Sequence, residues 1–272
     1  MNDRDIAFIG GGNMARSLIG GLVARGTPAA AIRVAEPVQA LRDGLQRDFG
    51  ISAVADNAVV ADAATWVLAV KPQVLRGVCE ALAPLAQATR PLVVSIAAGI
   101  TATQLQRWLG GGVAVVRCMP NTPALLGAGV TGLYANPQVD ADGRQRVESL
   151  LAAAGKTVWL GDEAKMDAVT AVAGGGPAYV FLLAEAMQAA AIDLGLPEDA
   201  ARTLVLQTIL GAARMLTEGD ADATELRRRV TSPGGTTQAA IEVFQAGGFG
   251  ALVARAIDAA TQRGRQLSAA ND

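Results

Sequence analysis

The chain has 272 residues, 51% apolar and 18% charged, with a net charge of −2 and no histidine. That length fits two domains at ~150 residues each, and the apolar share supplies a buried core, which excludes disorder. The balanced charge excludes a general attraction to nucleic acid or an anionic membrane. The missing histidine excludes Ser-His-Asp hydrolysis, His-ligated metals and imidazole acid–base catalysis.

Taken in chain order, the apolar run 6–23 follows Asp3 and Asp5 and is interrupted by Arg16, so it reads as part of a fold and not as a secretion signal. Short β-branched runs at 6–9, 32–35, 66–70, 92–96, 113–118 and 157–160 predict strands. Helical spacing fills 14–25, 38–49, 73–85, 102–109 and 143–154. Alternation of this kind predicts a parallel sheet covered on both faces with right-handed connections. After Gly161 the alternation ends, and helices are predicted over 177–194, 197–217, 223–230, 236–245 and 249–267. The expected division is therefore an α/β domain over 1–161 and an all-α domain over 162–272. The charge-free run 168–184 holds three glycines and a proline and is read as a buried helix, not a membrane span. Helices so rich in Ala and Leu on several faces favour subunit association. Cys79 and Cys118 form no metal or redox spacing, so they read as core residues in a reducing cytoplasm, and no metal is expected.

The first strand runs directly into Gly10-Gly11-Gly12-Asn13-Met14-Ala15 and then a helix. In that context Gly10 permits a tight turn, Gly12 lets a pyrophosphate reach the backbone, and Ala15 allows close helix–strand packing. Free N–H groups at the helix start suit a diphosphate. Glu36, at the end of the second strand, stands about 20 residues further on, where an acid takes an adenosine ribose and repels a 2′-phosphate. This leans towards NADH, while Arg33 and Arg42 nearby leave NADPH open. Ala69-Val70-Lys71-Pro72 and Ile96-Ala97-Ala98 also follow strands, at the carboxyl edge where open α/β folds place ligands. Lys71 reads either as a surface lysine or, between a buried strand and Pro72, as a cleft-facing cation; the second reading is adopted. Met119-Pro120-Asn121-Thr122-Pro123 either presents Asn121 and Thr122 to a ligand or is a stiff structural turn. In the helical half, Thr231-Ser232-Pro233-Gly234-Gly235-Thr236-Thr237 reads as a nest for a small carboxylate, in preference to an ordinary turn with a threonine cap.

These motifs, with Gly174-Gly175-Gly176-Pro177-Ala178-Tyr179, resemble the pyrroline-5-carboxylate reductases along essentially the whole chain. The resemblance implies a Rossmann-type domain followed by a helical domain that interlocks in a homodimer, in some members built further into a decamer. It implies reduction of 1-pyrroline-5-carboxylate to L-proline by NADPH or NADH, the last step of proline biosynthesis, in the cytoplasm. By motif match, the dinucleotide lies against Gly10, Gly11, Gly12, Asn13, Met14, Ala15, Asn57, Ala69, Val70, Lys71, Pro72, Ile96, Ala97 and Ala98. Ser232, Gly234, Gly235, Thr236 and Thr237 hold the substrate carboxylate, Thr237 lies near the ring nitrogen, and Glu163 stands beside the ligands. Three positions depart from the family: Gly175 for a common serine, Arg229 for a common asparagine, and Glu36-Pro37 where a 2′-phosphate is usually welcomed.

The lack of histidine fits an imine that arrives protonated, because its carbon accepts hydride without an enzymatic acid at that centre. Lys71 is the one candidate for acid–base work. A 3-hydroxyacid dehydrogenase would need a helix-borne lysine in the second half, where Lys165 is the only lysine. A nucleotide-sensing scaffold without turnover is the remaining alternative, motivated by Gly175 and Arg229.

Overall fold

The computed structural model describes residues 6–270. Its α/β part runs β1 (Ile6–Ile9), α1 (Asn13–Ala24), β2 (Ile32–Ala35), α2 (Gln39–Phe49), β3 (Ser52–Val54), β4 (Thr65–Leu68), α3 (Pro72–Thr89), β5 (Leu92–Ser95), α4 (Ala102–Trp108), β6 (Ala114–Met119), β7 (Gly129–Ala135), α5 (Ala141–Leu151) and β8 (Gly155–Trp159). The strands form one sheet in the order β3-β2-β1-β4-β5-β6-β7-β8. The β6–β7 pair is antiparallel; the other pairs are parallel.

Alternation along the strands fills both faces of the sheet. Phe8 and Val67 join one apolar cluster, closed by Leu18 of α1, Leu45 of α2 and Leu151 of α5. Ile9, Trp66 and Leu68 join the other, closed by Leu75 of α3 and Leu105 and Trp108 of α4. Cys79 and Cys118 are buried free thiols in these clusters. Burial, with some help from Glu80, pushes the Cys79 thiol up to about 12, and burial raises Cys118 as well.

Two strands, β3 and β7, were not expected from the sequence. β3 is only three residues long. β7 reads Gly-Val-Thr-Gly-Leu-Tyr-Ala, and glycine is poor strand material. Gly132 is nonetheless required there: a Cβ on it would lie 2.5 Å from the Val169 side chain. The residue that hides the strand from a propensity reading is the one that lets the later segment carrying Val169 pack on it.

Helices follow: α6 (Met166–Val169), a π-turn over Thr170–Gly174, α7 (Gly176–Asp193), α8 (Glu198–Glu218), α9 (Ala223–Arg229), α10 (Thr236–Ala246) and α11 (Phe249–Ala270). By contacts the chain divides into two compact units, Met1–Gly175 with Ala259–Asp272, and Gly176–Asp258. The sheet and both apolar clusters belong to the first unit. Within it, the Gln104 amide on α4 donates to the Ser268 carbonyl near the end of α11 (3.2 Å).

In the second unit α7 packs on α8. The helix expected to be buried over 168–184 is instead largely exposed within one chain. Phe181 is 61% and Leu182 65% accessible. The stretch Glu163–Asp193 is long and apolar enough to cross a membrane by length and composition, with 17% of its most apolar window buried.

Candidate active site

The glycine loop lies where the strand order reverses, between β1 and β4, which is where open α/β sheets leave a crevice. Gly10 takes φ +101°, and its N–H donates to the Ala35 carbonyl at the end of β2 (2.8 Å). A Cβ on it would lie 2.7 Å from the Ala69 carbonyl oxygen, so only glycine fits. Gly12 caps α1 with no side-chain hydrogen bond, and the first turn of α1 holds no acid. A Cβ on Gly12 would meet nothing within 4 Å. The helix start is therefore an open cradle of backbone N–H groups, suited in shape and polarity to a pyrophosphate. Asn13 is exposed, Met14 half-buried, and Ala15 buried under the helix.

Glu36 is 7% exposed at the end of β2. Its carboxylate accepts the Gly11 N–H (2.8 Å) and the Val38 N–H (2.9 Å), which ties the glycine loop to the turn entering α2. The other dinucleotide candidates follow the neighbouring strands of the same edge. Asn57 opens a single turn after β3. Ala69 and Val70 follow β4, with the Ala69 N–H donating to the Ile9 carbonyl (2.8 Å). Lys71 caps α3 without a side-chain bond, is exposed, and precedes Pro72 at the first helical position. Ile96, Ala97 and Ala98 follow β5, with the Ile96 N–H on the Leu68 carbonyl (3.1 Å). Sequence-distant segments thus meet along one edge of the sheet.

Glu163 receives a different set of partners. Its carboxylate accepts the Ala102 N–H at the start of α4 (2.7 Å) and pairs with Arg117 (3.3 Å). Arg117, in β6 and 4% exposed, also faces Asp167 at 3.5 Å. Sequence reasoning missed Arg117 and Asp167. The available signal was the single charge inside the apolar run 113–118, since an arginine in a buried strand needs acids. Asn121 turns to the backbone: its amide donates to the Ala173 carbonyl (3.2 Å) and its oxygen accepts the Val130 N–H (3.0 Å). Of the two readings of that loop, this geometry is the structural one for Asn121.

In the second unit, Arg228 and Arg229 hold the Glu225 carboxylate, both at 2.7 Å, and keep its carboxyl below the usual range. Arg229, the departure from the family asparagine, is thereby engaged. In the loop that follows, Thr231 donates to the Arg227 carbonyl (2.6 Å) and the Gly235 N–H to the Ser232 carbonyl (3.0 Å). Gly234 takes φ +70° and gives its N–H to the Gln238 side chain (2.7 Å). α10 begins at Thr236 with Gly235 as cap, no side-chain cap bond and no acid in its first turn. Neither threonine caps the helix, so the ordinary capped turn is not the structure formed. Ser232, Gly234, Thr236 and Thr237 are exposed at a helix start without a side-chain cap, an arrangement suited in polarity to a small anion.

Comparison with known proteins adds a full-length likeness. Over 98% of each chain, the sequence is 55% identical to a pyrroline-5-carboxylate reductase from Pseudomonas aeruginosa. The chain belongs to the pyrroline-5-carboxylate reductases. A family profile described as pyrroline-5-carboxylate reductase dimerisation matches residues 163–267, and one described as NADP oxidoreductase, coenzyme F420-dependent, matches residues 5–99. The structure of the Coxiella burnetii reductase superposes with a TM-score of 0.94 at 42% identity, covering 98% of this chain and 99% of that one. A Plasmodium falciparum reductase solved with NADP bound gives 0.86 at 27% identity over the same shares. The Rossmann-type sheet and the helices after it are thus the architecture of this reductase family.

Proposed function

We propose that the chain reduces 1-pyrroline-5-carboxylate to L-proline with NADH or NADPH, closing proline biosynthesis in the cytoplasm. The full-length identity to a reductase of that name carries the reading, and the open glycine cradle at the strand-order reversal supports it. When bound, the reduced nicotinamide supplies hydride. The proposed division of labour places dinucleotide binding in 1–161 and substrate binding and association in 162–272.

Gly10, Gly11, Gly12, Asn13, Met14 and Ala15 receive the pyrophosphate and Glu36 the adenosine ribose. Asn57, Ala69, Val70, Lys71, Pro72, Ile96, Ala97 and Ala98 line the rest of that edge. The loop of Ser232, Gly234, Gly235, Thr236 and Thr237 fixes the substrate carboxylate, through the hydroxyls of Ser232, Thr236 and Thr237 and the open N–H groups at the start of α10, while the Gly234 and Gly235 N–H groups shape the loop. Thr237 stands near the ring nitrogen, and Glu163 braces the 96–102 segment beside the ligands. Lys71, exposed at the edge, is the proposed cation near the reacting groups. No residue has to protonate the imine if it binds as the iminium, because hydride addition then yields the secondary amine directly. What the protein contributes is alignment, which for well-placed pairs is worth ~7–11 kcal/mol.

A second copy of the chain covers the apolar faces of α7, α8, α10 and α11 in the proposed homodimer; a decamer of such dimers is the further assembly we propose to test by molar mass. The test of function is oxidation of reduced nicotinamide by the purified protein on adding 1-pyrroline-5-carboxylate, with proline formed in equal amount. Oxidation with 3-oxo acids and none with the imine would overturn the reading.

A further inference from the structure

We infer that this enzyme prefers NADH, and that Glu36 sets the preference. The inference rests on the dinucleotide reading above and adds to it which cofactor is taken. Three observations carry it. First, Glu36 is a built part of the glycine loop. A Cβ on Gly11 would lie 3.2 Å from the Glu36 Cβ, and the two carboxylate oxygens accept the Gly11 and Val38 N–H groups separately. The carboxylate is therefore fixed at the end of β2 and does not swing away to admit another anion. Each oxygen keeps a further lone pair, so it still accepts a ribose hydroxyl, whereas a ribose phosphate offers it only negative oxygens.

Second, cations of the flanking elements already have partners. Arg33 pairs with Asp62 (2.6 Å), Arg47 with Asp48 (2.9 Å), and Arg16 with Asp48. Third, Arg42, the guanidinium closest in sequence to the β2 end on its far side, donates to the Glu36 and Pro37 carbonyls (2.6 and 2.8 Å) and to Gln39. Three of its five N–H groups are thereby engaged by the turn into α2. The site thus combines an attractive element for a 2′-hydroxyl with a repulsive one for a 2′-phosphate, the two-sided arrangement from which specificity arises.

The test uses ligands that cannot transfer hydride. The whole protein is titrated calorimetrically with ADP-ribose and with 2′-phospho-ADP-ribose, so that affinity is read apart from turnover. ADP-ribose is expected to bind at least about tenfold more tightly. Glu36→Ser is expected to narrow that ratio to near unity or invert it, and Arg42→Ala to leave the ratio unchanged. Equal or tighter binding of the 2′-phosphorylated ligand by the unaltered protein overturns the inference. So does a Glu36→Ser protein that loses both ligands by the same factor, which is the mark of a merely structural brace. A selective loss of the phosphorylated ligand in Arg42→Ala overturns it too, by making Arg42 a phosphate clamp. If neither ligand binds, the dinucleotide reading itself falls, and this inference with it.

Discussion

The sheet-bearing unit and the helical unit solve the burial problem differently. In the first, every central strand has two apolar faces and each face has its own helices, so clusters around Phe8 and around Trp66 both close within one chain. In the second, α7 and α8 pack on each other, yet across 176–258 only Ala184, Ala201 and Val205 are buried among the apolar side chains. Phe181, Leu182, Val243 and Leu252 stay exposed. An apolar area of that kind marks an interaction surface. The lesson is that the proposed dinucleotide edge is organised by local topology, whereas the proposed carboxylate loop sits on helices that leave much apolar surface uncovered within one chain.

The sharpest break of that contrast is Phe181→Asp with Leu182→Asp. If each side chain contributes about 1.5–3 kcal/mol on burial, four of them across a dimer sum to about 6–12 kcal/mol. Sedimentation should show monomer, while ADP-ribose binding at the glycine loop persists. Next is Arg117→Met, which strands Glu163 and Asp167 in the first unit. Breaking a buried ion pair costs about 3–5 kcal/mol, and denaturant unfolding should show it.

Gly10→Ala comes third. Its positive φ and the approach of the Ala69 carbonyl predict a strain of about 1–3 kcal/mol, read as lower stability and weaker dinucleotide binding with dimerisation intact. Thr237→Ala should reduce kcat/KM for the imine by more than about tenfold, or ~1.4 kcal/mol, with ADP-ribose affinity unmoved. The smallest effect is acid sensitivity. Arg16 and Arg47 lower the Asp48 carboxyl in the first unit, and Arg228 and Arg229 lower Glu225 in the second. A carboxyl lowered in the folded state adds stability above its unfolded pKa and loses it as pH falls through the folded one. Both pairs are exposed, so unfolding midpoints should decline only gently below the ordinary carboxylate range, and Asp48→Asn or Glu225→Gln should flatten the decline.

Much of the first unit was legible in the sequence because its rules are local. Strand–Gly10-Gly11-Gly12–helix needs only neighbours in the chain, and Glu36 is found by spacing. What spacing does not reveal is that both oxygens of Glu36 are held by backbone N–H groups: Val38 is a local partner, but Gly11 reaches it only once β1 and β2 are paired. β7 was hidden because Gly129 and Gly132 lower strand propensity, and Gly132 is explained only by Val169 from a later segment. Arg117 escaped notice for a similar reason: its acids lie far along the chain, at Glu163 and Asp167. In the helical unit the Ala/Leu periodicity revealed the helices but not their surroundings. An all-round apolar helix reads as buried, and within one chain α7 is not. The pattern change at 161 and the contact division at 175 also differ in kind. The first is where alternation stops, and the second lies beyond a segment that Arg117 holds against the sheet.

The most direct test is isotopic. Supplied with reduced nicotinamide cofactor carrying deuterium at both C4 positions and with 1-pyrroline-5-carboxylate, the protein should yield proline carrying one deuterium on the former imine carbon, visible by NMR. Unlabelled proline, or oxidation of the cofactor with no proline formed, would contradict hydride delivery to that carbon.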